Sequence, residues 1–249
     1  MGTEQLILAA IILFFSSMTQ GMIGFAFNLL AIPLLIWTGF SLAEAVVLTV
    51  IPIFVQLLTN AWKLRDAIVW EDIRLPALIR YVTLPLGIWL LYLLNNLDTA
   101  VIKQFVGAML LLILATQLFV SFKPRASLPL ILDILTFGLS GIMLGMLGMG
   151  GPPVVLWLMA HDWSPRRTRA FITMVFLAAS PVQIALLYWE FGSTLSESFF
   201  WGIAATPVVI SGALLGVRIG NSFDKAKLKK AVMFFLFLTA LLSLFSPYF

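Results

Sequence analysis

The residues of this sequence best placed to do chemistry are glycines. Gly145, Gly148, Gly150 and Gly151 lie close together and are followed by Pro152 and Pro153. Glycine lets a ligand approach backbone N–H groups with no Cβ in the way, and proline suits the first turn of a helix. A helix that restarts after such a break presents unpaired N–H donors and roughly half a positive charge, which is the equipment for holding an oxyanion. The pattern occurs twice. Gly21-Met-Ile-Gly24-Phe-Ala26-Phe-Asn28 aligns with Gly145-Met-Leu-Gly148-Met-Gly150-Gly-Pro152 at an offset of 124 residues. Asn28, a good N-cap residue, stands where the second copy has Pro152. The expectation is an anion held between Ile23–Asn28 and Leu147–Pro153, in a cage with no buried Arg or Lys. The substrate-binding candidates are Gly21, Gly24, Asn28, Gly145, Gly148, Gly150 and Gly151. Small residues at such spacing also let membrane helices pack closely, so a single glycine read alone is a packing residue. The site rests on the duplication and the break together.

Side-chain amides form a second group. Gln20 precedes the first break. Gln56 and Asn60 follow Pro52, and Gln183 follows Ser180 and Pro181 in the comparable stretch of the second half. An amide can donate to the oxygens of an anion, and the competing reading is an interhelical hydrogen bond worth about 0.6 kcal/mol. Among charged residues, Asp133 and Glu44 are the carboxylates to test for proton coupling. Arg80 reads as an interfacial anchor whose long side chain snorkels outward. His161, beside Asp162, reads as interfacial. Gly138-Leu-Ser140-Gly141 resembles the surroundings of an intramembrane protease serine, and His161 is the one residue that could serve as its base; an intramembrane serine protease is the remote alternative function.

The composition excludes most other chemistry. Of 249 residues, 61% are apolar and 10% charged, against roughly 25% charged in a soluble domain. A soluble enzyme and a nucleic-acid binder are thereby excluded. With no cysteine and one histidine, no thiolate or histidine metal site is expected, and there is no nucleotide loop or other cofactor-ligand set. The reading is an all-α polytopic membrane protein. Residues 1–5 carry no Lys or Arg, so the first apolar run is expected to be a span of the protein rather than an export signal.

The elements that must position these residues follow from the apolar runs. Full spans are predicted at 41–62, 76–94 and 100–121, and again at 170–189, 199–217 and 231–249, each long enough for a hydrocarbon core of about 30 Å. Residues 5–39 and 128–160 are each broken in the middle by the glycine pattern. They are predicted to be re-entrant hairpins of two half-helices, a form tolerated at depth only inside protein or beside water. Asp98–Lys103 further aligns with Asp224–Lys229 at an offset of 126. The chain is therefore read as two repeats, 1–122 and 123–249, each one hairpin plus three spans. Three crossings invert the second repeat. Fourteen of the fifteen basic residues, all but Lys103, then fall on one side, which the positive-inside rule makes cytoplasmic, with both termini outside. Tryptophans 37, 62, 70, 157, 163, 189 and 201 are expected in the interfacial belts. Phe234-Phe235-Leu236-Phe237 in the last span is a surface for lipid or for a second copy in a homodimer.

A duplicated chain of this length with Gly-x-x-Gly-x-Gly-Gly early in each half resembles the sulfite exporter TauE/SafE family, also called toluene-sulfonate uptake permeases. The second motif fits. The first departs from it at Ala26 and Phe27, which replace the paired glycines. The resemblance implies a multi-pass permease of the plasma membrane (the bacterial inner membrane) that moves small sulfur oxyanions such as sulfite, sulfonates or sulfoacetate. A secondary carrier and a passive anion channel both remain open at this point.

Overall fold

The computed structural model describes residues 2–23, 26–119, 128–223 and 225–245. Among these there is no strand, and helices account for nearly everything. In chain order they are α1 (Thr3–Ile23), α2 (Phe27–Trp37), α3 (Leu42–Lys63), α4 (Trp70–Asn95), α5 (Thr99–Phe119), α6 (Leu130–Leu147), α7 (Gly151–Met159), α8 (Pro165–Phe191), α9 (Ser196–Ala204), α10 (Thr206–Ser222) and α11 (Lys225–Phe245). Among the described residues, seven stretches are long and apolar enough to cross a bilayer: α1, α3, α4, α5, α6, the run from α8 into α9, and α11. The chain is an all-α polytopic membrane protein.

Both glycine-broken stretches are hairpins, and their arms are unequal. The leading arms have 21 and 18 residues, about 31 and 27 Å at 1.5 Å per residue. The returning arms have 11 and 9 residues. The expectation of two half-helices therefore holds for α2 and α7 only. Both hairpins close at their open ends. Gln5 Nε2 at the start of α1 donates to the Thr38 carbonyl just past α2 (3.4 Å). Trp157 Nε1 in α7 donates to Asp133 Oδ1 at the start of α6 (2.7 Å). Each returning arm thus touches its leading arm near the start of the latter.

Three predicted boundaries shift. α4 starts at Trp70, six residues earlier than the apolar run suggested, because a proline within the first two turns, Pro76, does not stop it. α8 starts at Pro165, capped by Ser164, whose Oγ accepts from Arg167 N. The span read as 199–217 is broken at Ala205 into α9 and α10. The repeat boundary at 122–123 lies outside the described residues.

The chain divides into two compact units. Unit 1 comprises Met1–Pro52, Leu93–Ala115 and Thr194–Phe249, and unit 2 comprises Ile53–Tyr92 and Thr116–Ser193. In unit 1, α2 is almost wholly buried, with Ala31, Ile32 and Leu35 at its centre. α1 lies against α10 through small residues: a Cβ on Gly21 would fall 2.9 Å from Val217 N, and one on Gly220 would fall 2.7 Å from Met22 O. Trp37 Nε1 donates to Ser243 Oγ (3.0 Å) and its ring carries Lys103 Nζ at 4.8 Å. α3 opens with a capping box, Ser41 N to Glu44 Oε2 (2.7 Å) and Glu44 N to Ser41 Oγ (3.2 Å), which satisfies two first-turn donors reciprocally.

In unit 2, α6 lies against α4 in the same manner: a Cβ on Gly145 would fall 2.7 Å from Leu84 O and 2.8 Å from Ile88 N. Phe137, Trp157 and Phe171 form the aromatic core, with the Trp157 and Phe171 rings stacked at 5.1 Å. Trp157 is therefore a core residue and not part of an interfacial belt. Trp37, Trp62, Trp70 and Trp189 are exposed as expected, as are Phe234, Phe235 and Phe237. In both units the long arm of a hairpin packs on a helix from the other half of the sequence.

Candidate functional site

The break after α6 is closed by backbone. Gly148 takes a left-handed conformation (φ 65°) and donates to Leu144 O (2.9 Å), while Met149 N reaches Met143 O (3.2 Å). The Gly148 to Leu144 bond is that of an αL helix ending, which favours a residue without a Cβ. Gln183, buried in α8, donates through Nε2 to the same Leu144 carbonyl (2.9 Å). Its amide nitrogen holds the last turn of α6. Ser140 in α6 donates to the Gly150 carbonyl. Residues 148–150 and 152 are buried. Gly151 alone looks into space, since a Cβ there would meet no atom within 4 Å. α7 begins at this point, and because Pro152 and Pro153 carry no N–H, the donors of its opening turn reduce to Gly150 and Gly151.

The side chain at this break is Arg80, the eleventh residue of α4. The expectation of an interfacial anchor is wrong: Arg80 is 0% exposed. So is the expectation of a site without a buried cation. Nη1 donates to the Val175 carbonyl of α8 (3.1 Å), and the guanidinium lies over the Phe176 ring, 4.1 Å from its centroid. Nε and Nη2 have no hydrogen-bond partner. A Cβ on Gly150 would lie 2.9 Å from Nη2, so this glycine is what lets the guanidinium reach the break. Arg80 looked peripheral because the apolar run was counted from residue 76. Measured from Trp70, the charge is mid-helix, and the acidic first turn Glu71–Asp72 was the signal for the earlier start.

The break after α1 is built differently. Ala26 is the N-cap of α2 with φ 86°, an uncommon conformation for a residue with a Cβ. Asn28 was expected as the cap and lies inside the first turn of α2, half-buried. Gly24 lies outside the described residues. Gly21 is a packing residue against α10. Gln20 Oε1 and Ser16 Oγ, one turn apart on α1, are buried without a partner. Gln56 and Asn60 are half-buried in the part of α3 that belongs to unit 2.

The two carboxylates singled out from the sequence are engaged, Glu44 in the cap of α3 and Asp133 with Trp157. His161 Nδ1 faces the Trp157 carbonyl at 3.0 Å, and its ring lies 3.9 Å from that of Trp157. Among the described hydrogen bonds none joins Ser140 to His161, and the Ser140 proton goes to Gly150.

The sulfite exporter TauE/SafE family model matches residues 8–243, a region that runs from within α1 to within α11. The chain belongs to this family. As a member it is a multi-pass membrane transporter. It is 26% identical over 200 residues, 78% of this chain and 76% of the relative, to a protein of Cupriavidus necator described as a probable sulfite/organosulfonate exporter TauE. No solved structure matches.

Proposed function

We propose that this chain is a secondary carrier for small sulfur oxyanions such as sulfite, sulfonates or sulfoacetate in the plasma membrane, and that the anion engages the break between α6 and α7. The observation that carries this reading is the buried turn Gly148–Gly151, which ends in open space at Gly151 where a helix begins. The description of the Cupriavidus relative points the same way. Gly148, Gly150 and Gly151 line the path. Gly145 and Gln183 hold the helix that leads to it. Gly21, Gln20, Asn28 and Gly24 form the corresponding region of the first repeat, and Gln56 and Asn60 belong to the path on α3. The basic loops face the cytoplasm and both termini face outside.

The test is flux into proteoliposomes with sulfite, sulfoacetate, taurine and sulfate, with and without a pH gradient. Saturable flux accelerated by substrate on the far side is expected. Unsaturable flux without such acceleration would make the protein an anion channel, and response to the gradient would establish proton coupling. Orientation is directly testable, since the chain has no cysteine. A single cysteine at Arg74 should label from the cytoplasmic side and one at Asp98 from the outside. The reverse pattern would overturn the topology.

A further inference from the structure

Arg80 is a buried charge with no counter-charge among the described residues. It is 0% exposed, and a guanidinium stays protonated in proteins. The ion pairs described in unit 2 join Arg166 to Asp66 and Arg167 to Asp72, and no described carboxylate pairs with Arg80. A buried cation left this way is costly unless something neutralises it. The structure accounts for only part of its bonding. Nη1 is spent on Val175 O and one face rests on Phe176, which fixes the plane of the group. Nε and Nη2, the two nitrogens that share the opposite edge, are both buried and unpartnered. Their N–H bonds form the side-on fork that grips two oxygens of one planar or tetrahedral oxyanion. Gly150 lies against Nη2, and the next residue, Gly151, borders open space at the start of α7. The helix N-terminus alone would be a poor site, because Pro152 and Pro153 remove two of its donors. The arginine fork and the Gly150–Gly151 backbone complement each other.

We propose that Arg80 is the substrate-binding cation of this transporter, gripping two oxygens of the anion through Nε and Nη2, and that its single charge selects monoanions over dianions. The ligand class is a singly charged sulfur oxyanion, an organosulfonate or hydrogensulfite. One guanidinium neutralises one charge. A dianion would leave a net negative charge in the same dry pocket, and the partial charge of a short helix lacking two donors does not offset it. The inference rests on the carrier reading only for the identity of the ligand.

The experiment uses the full chain in lipid nanodiscs, with methanesulfonate and sulfate as probes because their charges are fixed near neutral pH. Binding is read by calorimetry and by the shift in Tm, since a ligand that binds the folded state raises it. Methanesulfonate should bind roughly tenfold or more tightly than sulfate. Arg80→Met should lower methanesulfonate affinity roughly tenfold or more, and its ligand-free Tm should equal or exceed that of the parent, because an unpaired buried charge has been removed. A purely structural arginine would give the opposite Tm change. Arg80→Lys, which keeps the charge and loses the fork, should fall between. Gly151→Val places its side chain in the open space and should bind poorly while melting normally. Undiminished methanesulfonate binding in folded Arg80→Met, or sulfate bound as tightly as methanesulfonate, would overturn the proposal. Should Arg80→Met not fold, unchanged binding in Gly151→Val would do the same. Sulfite flux separates this from the carrier reading. Flux untouched by Arg80→Met sinks the site and leaves the carrier. Arg80-dependent binding without any flux in the parent sinks the carrier and leaves the site.

Discussion

The two hairpins share a packing plan and differ in what they do with it. On α6, Gly145 meets Leu84 O, Gly87 and Ile88 N of α4. On α1, Gly21 meets Ala213 O, Gly216 and Val217 N of α10. The glycines are 124 residues apart and their partners 129 apart (213 − 84, 216 − 87 and 217 − 88). One step further, Gly141 faces Thr83, while Ser17 faces Gly212: the small residue has changed sides and the space is conserved. The same register places Val209 where unit 2 has Arg80, and both are 0% exposed. The aligned positions at the break, Ala26 and Gly150, follow suit. Beside Arg80 there is a glycine whose Cβ would strike Nη2. In the hairpin with Val209 there is an alanine. The prolines differ too: α2 opens with Phe27-Asn28-Leu29, all bearing N–H groups, and α7 with Gly151-Pro152-Pro153. Packing tolerates duplication because it asks only for close approach. Binding one anion asks for one cation, and among the described residues only the break of the second hairpin has a buried one beside it, Arg80 of α4.

The largest effect that could break this comparison is on transport. Arg80→Met should cut sulfite flux in proteoliposomes by about 10–100-fold, the loss of a charge-assisted hydrogen-bonding pair at roughly 1.5–3 kcal/mol. Val209→Ala, at the matching position, should keep flux per folded molecule within about twofold, although deleting buried methyls costs it about 1–3 kcal/mol of stability. Equal loss of flux in both variants would mean that the hairpins share the work and that the asymmetry is one of packing only.

A smaller effect concerns the breaks, where the same exchange should have opposite signs. Gly150→Ala brings a Cβ to 2.7 Å from Ser140 O, 2.8 Å from Leu144 Cβ and 2.9 Å from Arg80 Nη2. Such overpacking costs about 1–3 kcal/mol, so Tm should fall. Ala26→Gly relieves a left-handed alanine, a strain of about 1–2 kcal/mol, offset by the added freedom of glycine in the unfolded chain. Its Tm should be unchanged or slightly raised. Two falling values would place the crowding at both breaks and remove the distinction between them.

These differences were legible in the sequence only in part. The duplication, the breaks and the spans follow from glycine spacing and apolar runs, which act locally. Gln5 with Thr38 and Asp133 with Trp157 join the two arms of each hairpin, contacts that glycine spacing does not announce. Arg80 was misplaced for a physical reason. The apolar run alone starts the span at 76, whereas α4 begins at Trp70 and continues through Pro76 at the loss of the one i→i−4 bond that the seventh residue's N–H would make. Six residues of error moved a buried charge to the membrane edge. Gln183 stands out in the sequence as an amide after Ser180 and Pro181, and nothing there points to its partner, the Leu144 carbonyl in α6. A tertiary contact across 39 residues leaves no periodic trace.

The smallest predicted effect lies at the periphery of unit 2. Asp66 receives hydrogen bonds from Arg166 Nη2 (2.7 Å) and Nε (3.1 Å), and this holds its carboxyl below the usual 3.8. A carboxyl depressed in the folded state contributes stability above its unfolded value and loses it as pH falls through the folded one. The contribution is therefore constant at neutral pH and fades only below about pH 4. Both side chains are more than half exposed, so salt screens the pair and its worth is small. Asp66→Asn should leave flux unchanged and shift Tm little at neutral pH, with the difference from the parent vanishing in high salt and again below pH 4. Asp72→Asn should shift it more. Its partner Arg167 is 38% exposed and Asp72 20%, and the Arg167 guanidinium also rests 4.3 Å from the centroid of Trp163. That desolvation strengthens the pair and leaves the arginine less free to find water when the carboxylate is removed. If the two variants were indistinguishable, the loop charges beside this hairpin would be topology determinants alone, and the functional asymmetry would reside wholly in Arg80.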